Sequence, residues 1–326
     1  TVMANEKKTF NFWELKEDTP KVNTPISESI NSLDENNYEH YFPSDTKIIL
    51  NTNLIRNNDG PNFSLQLNKF AKPEYQISKN NEPKKLVFKL SPRYFDENLK
   101  FFTQFKNIFT FIEEYYKKVN LFSLEKIEVD LSLKNKFVSG LGASSIFETS
   151  ITLHHIYGIP YIPGQAIKGV LRSFYLNSNY DQADDKEFKA VTEDLEFCKM
   201  FGCSAKIKSK VSGQVYDSKL KKDFAGDLVF FDAFPSKEMK LELDIMNPHY
   251  SEYYNKFDGK KAPTDDMSPV PINFVVVKDA SFKFLIGAKQ KDNNQLSTVK
   301  TLLINCLYES GIGAKTSVGY GIFNQQ

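Results

Sequence analysis

Four glycines lie within eleven residues near the end of the chain, in the run Gly311-Ile312-Gly313-Ala314-Lys315-Thr316-Ser317-Val318-Gly319-Tyr320-Gly321. Glycine tolerates positive φ and lets another backbone approach closely. Successive amides in such a loop can cradle phosphate, with Lys315 adding charge. The loop is not a Walker A motif. Ala314 stands where that motif needs a glycine before the lysine, and the loop follows a helical pattern instead of opening one. Thr316 takes the place of the third glycine of a G-x-G-x-x-G fingerprint. The same residues also describe a turn that holds a terminal strand, and the sequence leaves both readings open.

A second segment runs from Tyr157 to Arg172. Pro163 stops a preceding strand, and Gly164 and Gln165 enter a helix whose first amides lack intrahelical acceptors, a natural anion site. Lys168 and Arg172 are four apart and share one face, which suits a polyanion and equally describes a solvated basic surface. Gly169 inside the helix costs about 1 kcal/mol against alanine, so it is expected to serve close packing or the close approach of a ligand. Between Cys203 and Ala225, Lys206, Lys208, Lys210, Lys219, Lys221 and Lys222 oppose Asp217 and Asp223. That stretch, with Gly213 inside it, predicts a mobile basic hairpin or loop, facing a polyanion or only water.

Catalytic chemistry has thinner support. His154 and His155 are adjacent; in a strand they would face opposite sides and could not share one metal. Cys198 and Cys203 are spaced more loosely than zinc ligands favour, so the sequence assigns no metal and no cofactor. A lone histidine could still act as the base of a metal-independent ribonuclease. There is no H-E-x-x-H and no nucleophile elbow.

The elements that must hold these residues follow from periodicity. Phe101, Phe105, Ile108, Ile112, Tyr115 and Val119 recur at helical spacing and predict a core-facing helix over 97–119. Ile127, Val129, Leu131 and Leu133 alternate with Glu128, Asp130 and Ser132, which predicts a half-buried strand over 126–133. Helices are expected from Gly164 to near Leu176, over 185–200 and over 296–309, the last closed by Gly311 as its C-cap. Strands are expected at 227–231, 240–245, 273–277 and 281–286, with a short one near Ile322-Phe323. This order is that of a ferredoxin-like β-α-β-β-α-β unit with insertions, an α+β fold.

Composition bounds the rest. The chain has 326 residues, 40% apolar and 25% charged, which marks a globular protein able to bury a sizeable core. Lys and Arg number 42 against 41 Asp and Glu, so any basic surface must be local. Three cysteines cannot build a disulfide framework and fit a reducing cytosol. No apolar run approaches the ~20 residues of a membrane span, and Thr1 to Phe12 has no signal-peptide apolar region. These features lead to the expectation of a cytoplasmic protein without a membrane partner. Residues 1–46 are acidic and rich in Asn and Pro, and are expected to form a weakly structured arm with Phe12 and Trp13 as anchors.

Pro163-Gly164-x-x-Ile167-Lys168-Gly169-x-x-Arg172 and the terminal glycine loop resemble the RAMP superfamily of CRISPR proteins. Between them, Phe201-Gly202-Cys203, the run Gly226 to Ala233 and the stretch Asp244-Ile245-Met246-Asn247-Pro248-His249-Tyr250 look like one branch, the sixth subunit of the type III-B (Cmr) effector complex. Asn62 to Lys69 is similar to that subunit's N-terminal region, and the resemblance spans about 47–323. It implies a modified RRM-like (ferredoxin-like) RAMP domain over 47–326 with a basic insertion near 203–225. It implies a non-catalytic structural subunit that binds crRNA near the 3′ end of the guide.

The implied partners are the crRNA, target RNA in the guide–target duplex, the backbone RAMP subunit, the small helical subunit and the terminal RAMP subunit. On this resemblance Gly164, Gln165, Lys168, Arg172, Gly311, Gly313, Lys315, Thr316, Gly319 and Gly321 face the guide. The lysines at 206, 208 and 210 belong to a thumb that reaches the duplex. Relatives that cleave target RNA carry an Asp ahead of the Pro-Gly motif. Here Glu148 is the only carboxylate between Gly142 and Pro163, so metal-dependent cleavage lacks its usual residue. The rival readings are an endoribonuclease using His154 or His155, and a protein-only adaptor.

Overall fold

The computed structural model describes residues 63–68, 74–76, 85–98, 105–122, 124–249, 269–289 and 293–325. The expected acidic arm with Phe12 and Trp13, its boundary near residue 46, and Phe101 and Tyr250 lie outside these residues. In chain order the elements are α1 (Phe63–Asn68), β1 (Glu74–Gln76), β2 (Lys85–Val87), α2 (Pro92–Asn98), α3 (Phe105–Asn120), β3 (Glu125–Ser132), α4 (Gly164–Asn179), α5 (Lys186–Glu193) and α6 (Leu195–Phe201). There follow β4 (Lys206–Lys208), β5 (Val215–Asp217), β6 (Leu228–Phe230), β7 (Phe234–Pro235), β8 (Lys240–Met246), β9 (Ile272–Lys278), β10 (Ser281–Ala288) and α7 (Asn293–Glu309).

β10 is almost wholly apolar and buried along its length, as a central strand covered on both faces must be. It pairs antiparallel with β3, from Ser281 opposite Ser132 to Ala288 opposite Glu125. On its other side it pairs with β6 and, further along, with β7. The register puts Phe282, Phe284 and Ile286 opposite Leu131, Val129 and Ile127, so one face of the pair is uniformly apolar. The expected terminal strand is a single bridge, Phe323 to Leu133, reinforced by the Asn324 N–H donating to Ser132 O at 2.9 Å. The spatial order Phe323, β3, β10, β6 is the 4-1-3-2 order of a ferredoxin-like sheet.

Helix α4 buries Ile167 and Leu171, and α7 buries Val299, Leu303, Cys306 and Leu307. The two helices pack together, α7 lying on β3 and β10 and α4 reaching β6. Burial pushes the Cys306 thiol up to about 12, so this cysteine is a core side chain and not a nucleophile. The Tyr116 hydroxyl in α3 donates to Lys283 O at 3.0 Å and accepts from the Phe234 amide at 3.2 Å, which joins α3 to β10 and β7.

One expectation needs correction. The helix expected over 185–200 is two helices, because Asp194 leaves helical geometry and caps α6, accepting from the Phe197 amide at 2.9 Å. Its other oxygen accepts the hydroxyls of Tyr175 at 2.8 Å and Tyr180 at 3.0 Å, so the break is a fixed joint. The strands expected at 240–245 and 273–277 form as β8 and β9, which pair with each other in a sheet separate from that of β10. They are joined to the rest of the domain by the bridge from Val277 to Phe137 and by the Lys136–Asp244 ion pair.

Candidate nucleic-acid interface

The start of α4 differs from the expected free anion site. The Gly164 N–H donates to Asp232 Oδ1 at 2.8 Å, so a carboxylate of the chain already occupies the positive end of the helix. Gly164 is there for packing: a Cβ would overlap the Phe230 carbonyl oxygen of β6. Burial first and the Asp232 charge second push the Tyr115 hydroxyl up to about 12 and raise that of Tyr161. Sequence reading missed Asp232 because its partner is 68 residues away and no spacing rule links them. Gln165 next to it is exposed.

One turn on, Lys168 and Arg172 do share a face, but they are employed differently. The Arg172 guanidinium donates to Glu187 Oε1 at 2.8 Å and lies 5.1 Å from the Phe197 ring centre, so it clamps α4 to α5 and α6. The Lys168 ammonium rests on Ala225 O at 3.3 Å. Gly169 is exposed, and a Cβ there would meet nothing within 4 Å. Of the two reasons expected for this glycine, close internal packing is therefore removed.

An open cleft of about 690 Å³ borders Arg172, and its lining also includes Glu187, Lys206, Asp223, Phe224 and Ala225. This cleft brings the 163–172 motif and the basic insertion together. The insertion is a hairpin of β4 and β5, Lys206 opposite Asp217 and Lys208 opposite Val215. Lys206, Lys208, Lys210, Lys219, Lys221 and Lys222 are all exposed. The hairpin is pinned at both ends: in the turn between its strands Lys210 N–H donates to Asp185 Oδ2, and at its base Ala205 N–H donates to Asp223 Oδ1, both at 2.8 Å. Asp185 also caps α5 through the Phe188 amide at 3.2 Å, so one aspartate ties helix and hairpin.

The glycine loop contributes nothing to that cleft. It packs against β9 and the 136–138 segment, and much of its backbone is satisfied there. Ile312 N–H donates to Gly321 O at 3.0 Å, Ala314 N–H to Val138 O at 2.8 Å, and Gly321 N–H to Lys136 O at 2.7 Å. Gly311, Gly313 and Gly321 adopt φ of +68°, +102° and +66° with neighbouring carbonyls against them, which makes them structural glycines. The stretch from Lys315 to Gly319 is different. Lys315 holds a left-handed conformation at φ 60°, Thr316 starts a short 3-10 turn, and Gly319 faces open space. The Lys315 ammonium sits 5.3 Å from the Phe274 ring centre.

His154 and His155 are not in a strand and do not face apart. They occupy a turn, with ring centres 5.0 Å apart and planes at 24°, and Tyr157 stacks on the other side of His154 at 4.5 Å. His154 Nδ1 accepts the amides of Ile156 and Tyr157, each at 3.3 Å, so this nitrogen caps the turn. Burial first and the His155 charge second push His154 below its ordinary value. Glu148 is exposed. Among the described residues no group of three His, Cys, Asp or Glu side chains could hold a metal ion.

A network outside the motifs fixes the loop. Asp244 Oδ2 accepts Lys136 Nζ at 2.8 Å and the Tyr320 hydroxyl at 2.7 Å, and Oδ1 accepts the Ile245 amide at 2.8 Å. Burial alone would raise this carboxyl, but the three donors outweigh it and hold the group below its ordinary value of about 4. A depressed carboxyl contributes stability above its unfolded value, and that stability is lost as pH falls through the folded value. Stability is therefore expected to drop below about pH 4. Asp244→Asn should remove about 1 kcal/mol at pH 7 and flatten that acid limb, read by urea midpoints from pH 3 to 7.

The RAMP superfamily model matches residues 130–324. A CRISPR system Cmr subunit Cmr6 from Pyrococcus furiosus is 34% identical, over 65% of this chain and 71% of its own length. A CRISPR system CMR subunit Cmr6 from Saccharolobus solfataricus is 24% identical, over 65% of this chain and 63% of its own. Among solved structures, the crystal structure of Cmr6 from Pyrococcus furiosus aligns over 63% of this chain and 99% of that one, at 30% identity and a TM-score of 0.35. A chain of the type III-B Cmr-beta complex bound to cognate target RNA aligns over 71% of this chain and 68% of that one, at 24% identity and a TM-score of 0.47. The chain belongs to the RAMP superfamily and, within it, to the Cmr6 family of CRISPR proteins.

Proposed function

We propose that this protein is a non-catalytic, crRNA-binding structural subunit of a type III-B CRISPR complex in the cytoplasm. It sits near the 3′ end of the guide and stacks on the backbone RAMP subunit. The small helical subunit and the terminal RAMP subunit are its other neighbours. The observation that carries the RNA reading is the basic insertion, six exposed lysines against two aspartates, its hairpin pinned at turn and base beside a cleft that Arg172 and Lys206 line. A basic surface fixed in this way suits the sugar–phosphate backbone of a guide–target duplex. Lys168 and the Lys315–Gly319 stretch supply further contacts. No chemistry is assigned to His154, whose Nδ1 is used within its own turn.

The protein-only adaptor has one observation in its favour, the internally satisfied amides of the glycine loop. Titration of the full chain with labelled single-stranded RNA in EDTA separates the readings. Salt-dependent binding with the RNA recovered intact is expected. Binding absent at physiological salt would favour the adaptor, and specific cutting abolished by His154→Ala or His155→Ala would favour the nuclease.

A further inference from the structure

Lys289, just past the end of β10, belongs to none of the motifs. Its backbone N–H donates to Asp227 O at 2.9 Å, and its ammonium donates to Gly226 O at 2.9 Å. Lys168 Nζ rests on the preceding carbonyl, that of Ala225. Two ammonium groups from different elements thus donate to consecutive carbonyls. Burial first, then the charges of Lys289 and Arg172, push Lys168 below its ordinary value. Among the described residues neither lysine makes an ion pair, whereas Arg172 beside them is joined to Glu187. The turn that presents the carbonyls is held rigidly. Gly226 has φ +90°, and a Cβ there would press on Met200 O at 2.9 Å.

Like charges held together without a counterion repel, and an anion placed between them relieves the repulsion. The surroundings fit a chain-like anion. Ala225 also lines the cleft, so the pair stands at its rim. Gly169, adjacent to Lys168, leaves the helix surface bare beside it.

We propose that Lys168 and Lys289 together seat one phosphodiester of single-stranded RNA at the rim of the cleft, which makes Lys289 a binding residue. This rests on the guide-RNA reading above and specifies one phosphate contact within it. Two charge-assisted hydrogen bonds to one phosphate are stronger than either alone.

The test is a double-mutant cycle on the full chain, with labelled single-stranded RNA as the probe. Lys168→Gln and Lys289→Gln remove the charge while keeping a polar side chain at each position. Each is expected to weaken RNA binding about tenfold. The double variant is expected to lose about tenfold to thirtyfold, because one shared phosphate is lost, against about a hundredfold for two independent contacts. Unchanged melting shows that the fold is intact. Normal binding by Lys289→Gln, with Lys168→Gln weakened, overturns the proposal and leaves the guide-RNA reading standing. Multiplicative losses overturn the shared seat. A wild-type chain that binds no RNA overturns both.

Discussion

Gly321→Ala is expected to lower stability by more than about 3 kcal/mol, while Gly319→Ala, two residues earlier in the same motif, should cost about 1 kcal/mol. Both glycines have positive φ, +66° at Gly321 and +91° at Gly319, so each substitution carries the left-handed penalty of an L residue. Only at Gly321 does the new Cβ overlap backbone, that of Ile312. Relieving the overlap separates the segments at 312 and 321. That breaks Ile312 N–H to Gly321 O and strains Gly321 N–H to Lys136 O, each worth about 1 kcal/mol and both inside the domain. Chemical denaturation reads the difference directly, and thermal melting should show a drop of roughly 6 °C or more for Gly321→Ala. Equal stabilities for the two variants would contradict the division of this motif into structural glycines and an open segment.

The second large effect is on RNA. Lys206→Gln, Lys208→Gln and Lys210→Gln together should weaken single-stranded RNA binding about 10²-fold near physiological salt, about 1 kcal/mol per contact. The slope of log affinity against log salt should become shallower by about 2. Folding should be unaffected, within about 0.5 kcal/mol, because all three side chains are exposed. The Lys210 tie to Asp185 survives as well, since it uses the backbone amide. Affinity and slope equal to wild type would remove the hairpin from the interface, whatever the other contacts do.

What the sequence discloses and what it hides divide along physical lines. Alternation from Ile127 to Leu133 and the apolar run of 281–286 predict β3 and β10, because sheet faces impose a period of two and a central strand imposes none. Pro163-Gly164 and Gly311 mark the start of α4 and the end of α7, because caps are local chemistry. Long-range pairs leave no such trace. Asp232 on the Gly164 amide, Asp244 on Lys136 and Tyr320, and Lys289 beside Lys168 join residues far apart in the chain. Asp194 reads as an ordinary polar helix position until two tyrosine hydroxyls and a cap turn it into a joint. The turn at His154-His155 is not legible because two adjacent rings do not disclose it; the His154 cap creates it. The terminal glycine motif is legible as a motif, but its composition does not separate glycines that admit a neighbouring backbone from one that faces solvent.

Ultraviolet crosslinking of the assembled complex to its guide RNA, with crosslinked peptides mapped by mass spectrometry, tests the central claim most directly. Crosslinks are predicted in 163–172, in the hairpin between 203 and 225, and within 315–319 of the glycine loop, all to guide positions near the 3′ end. Protein–protein crosslinks to neighbouring subunits with no RNA crosslink in any of these segments would contradict the claim and leave an adaptor that holds the complex together without touching its guide.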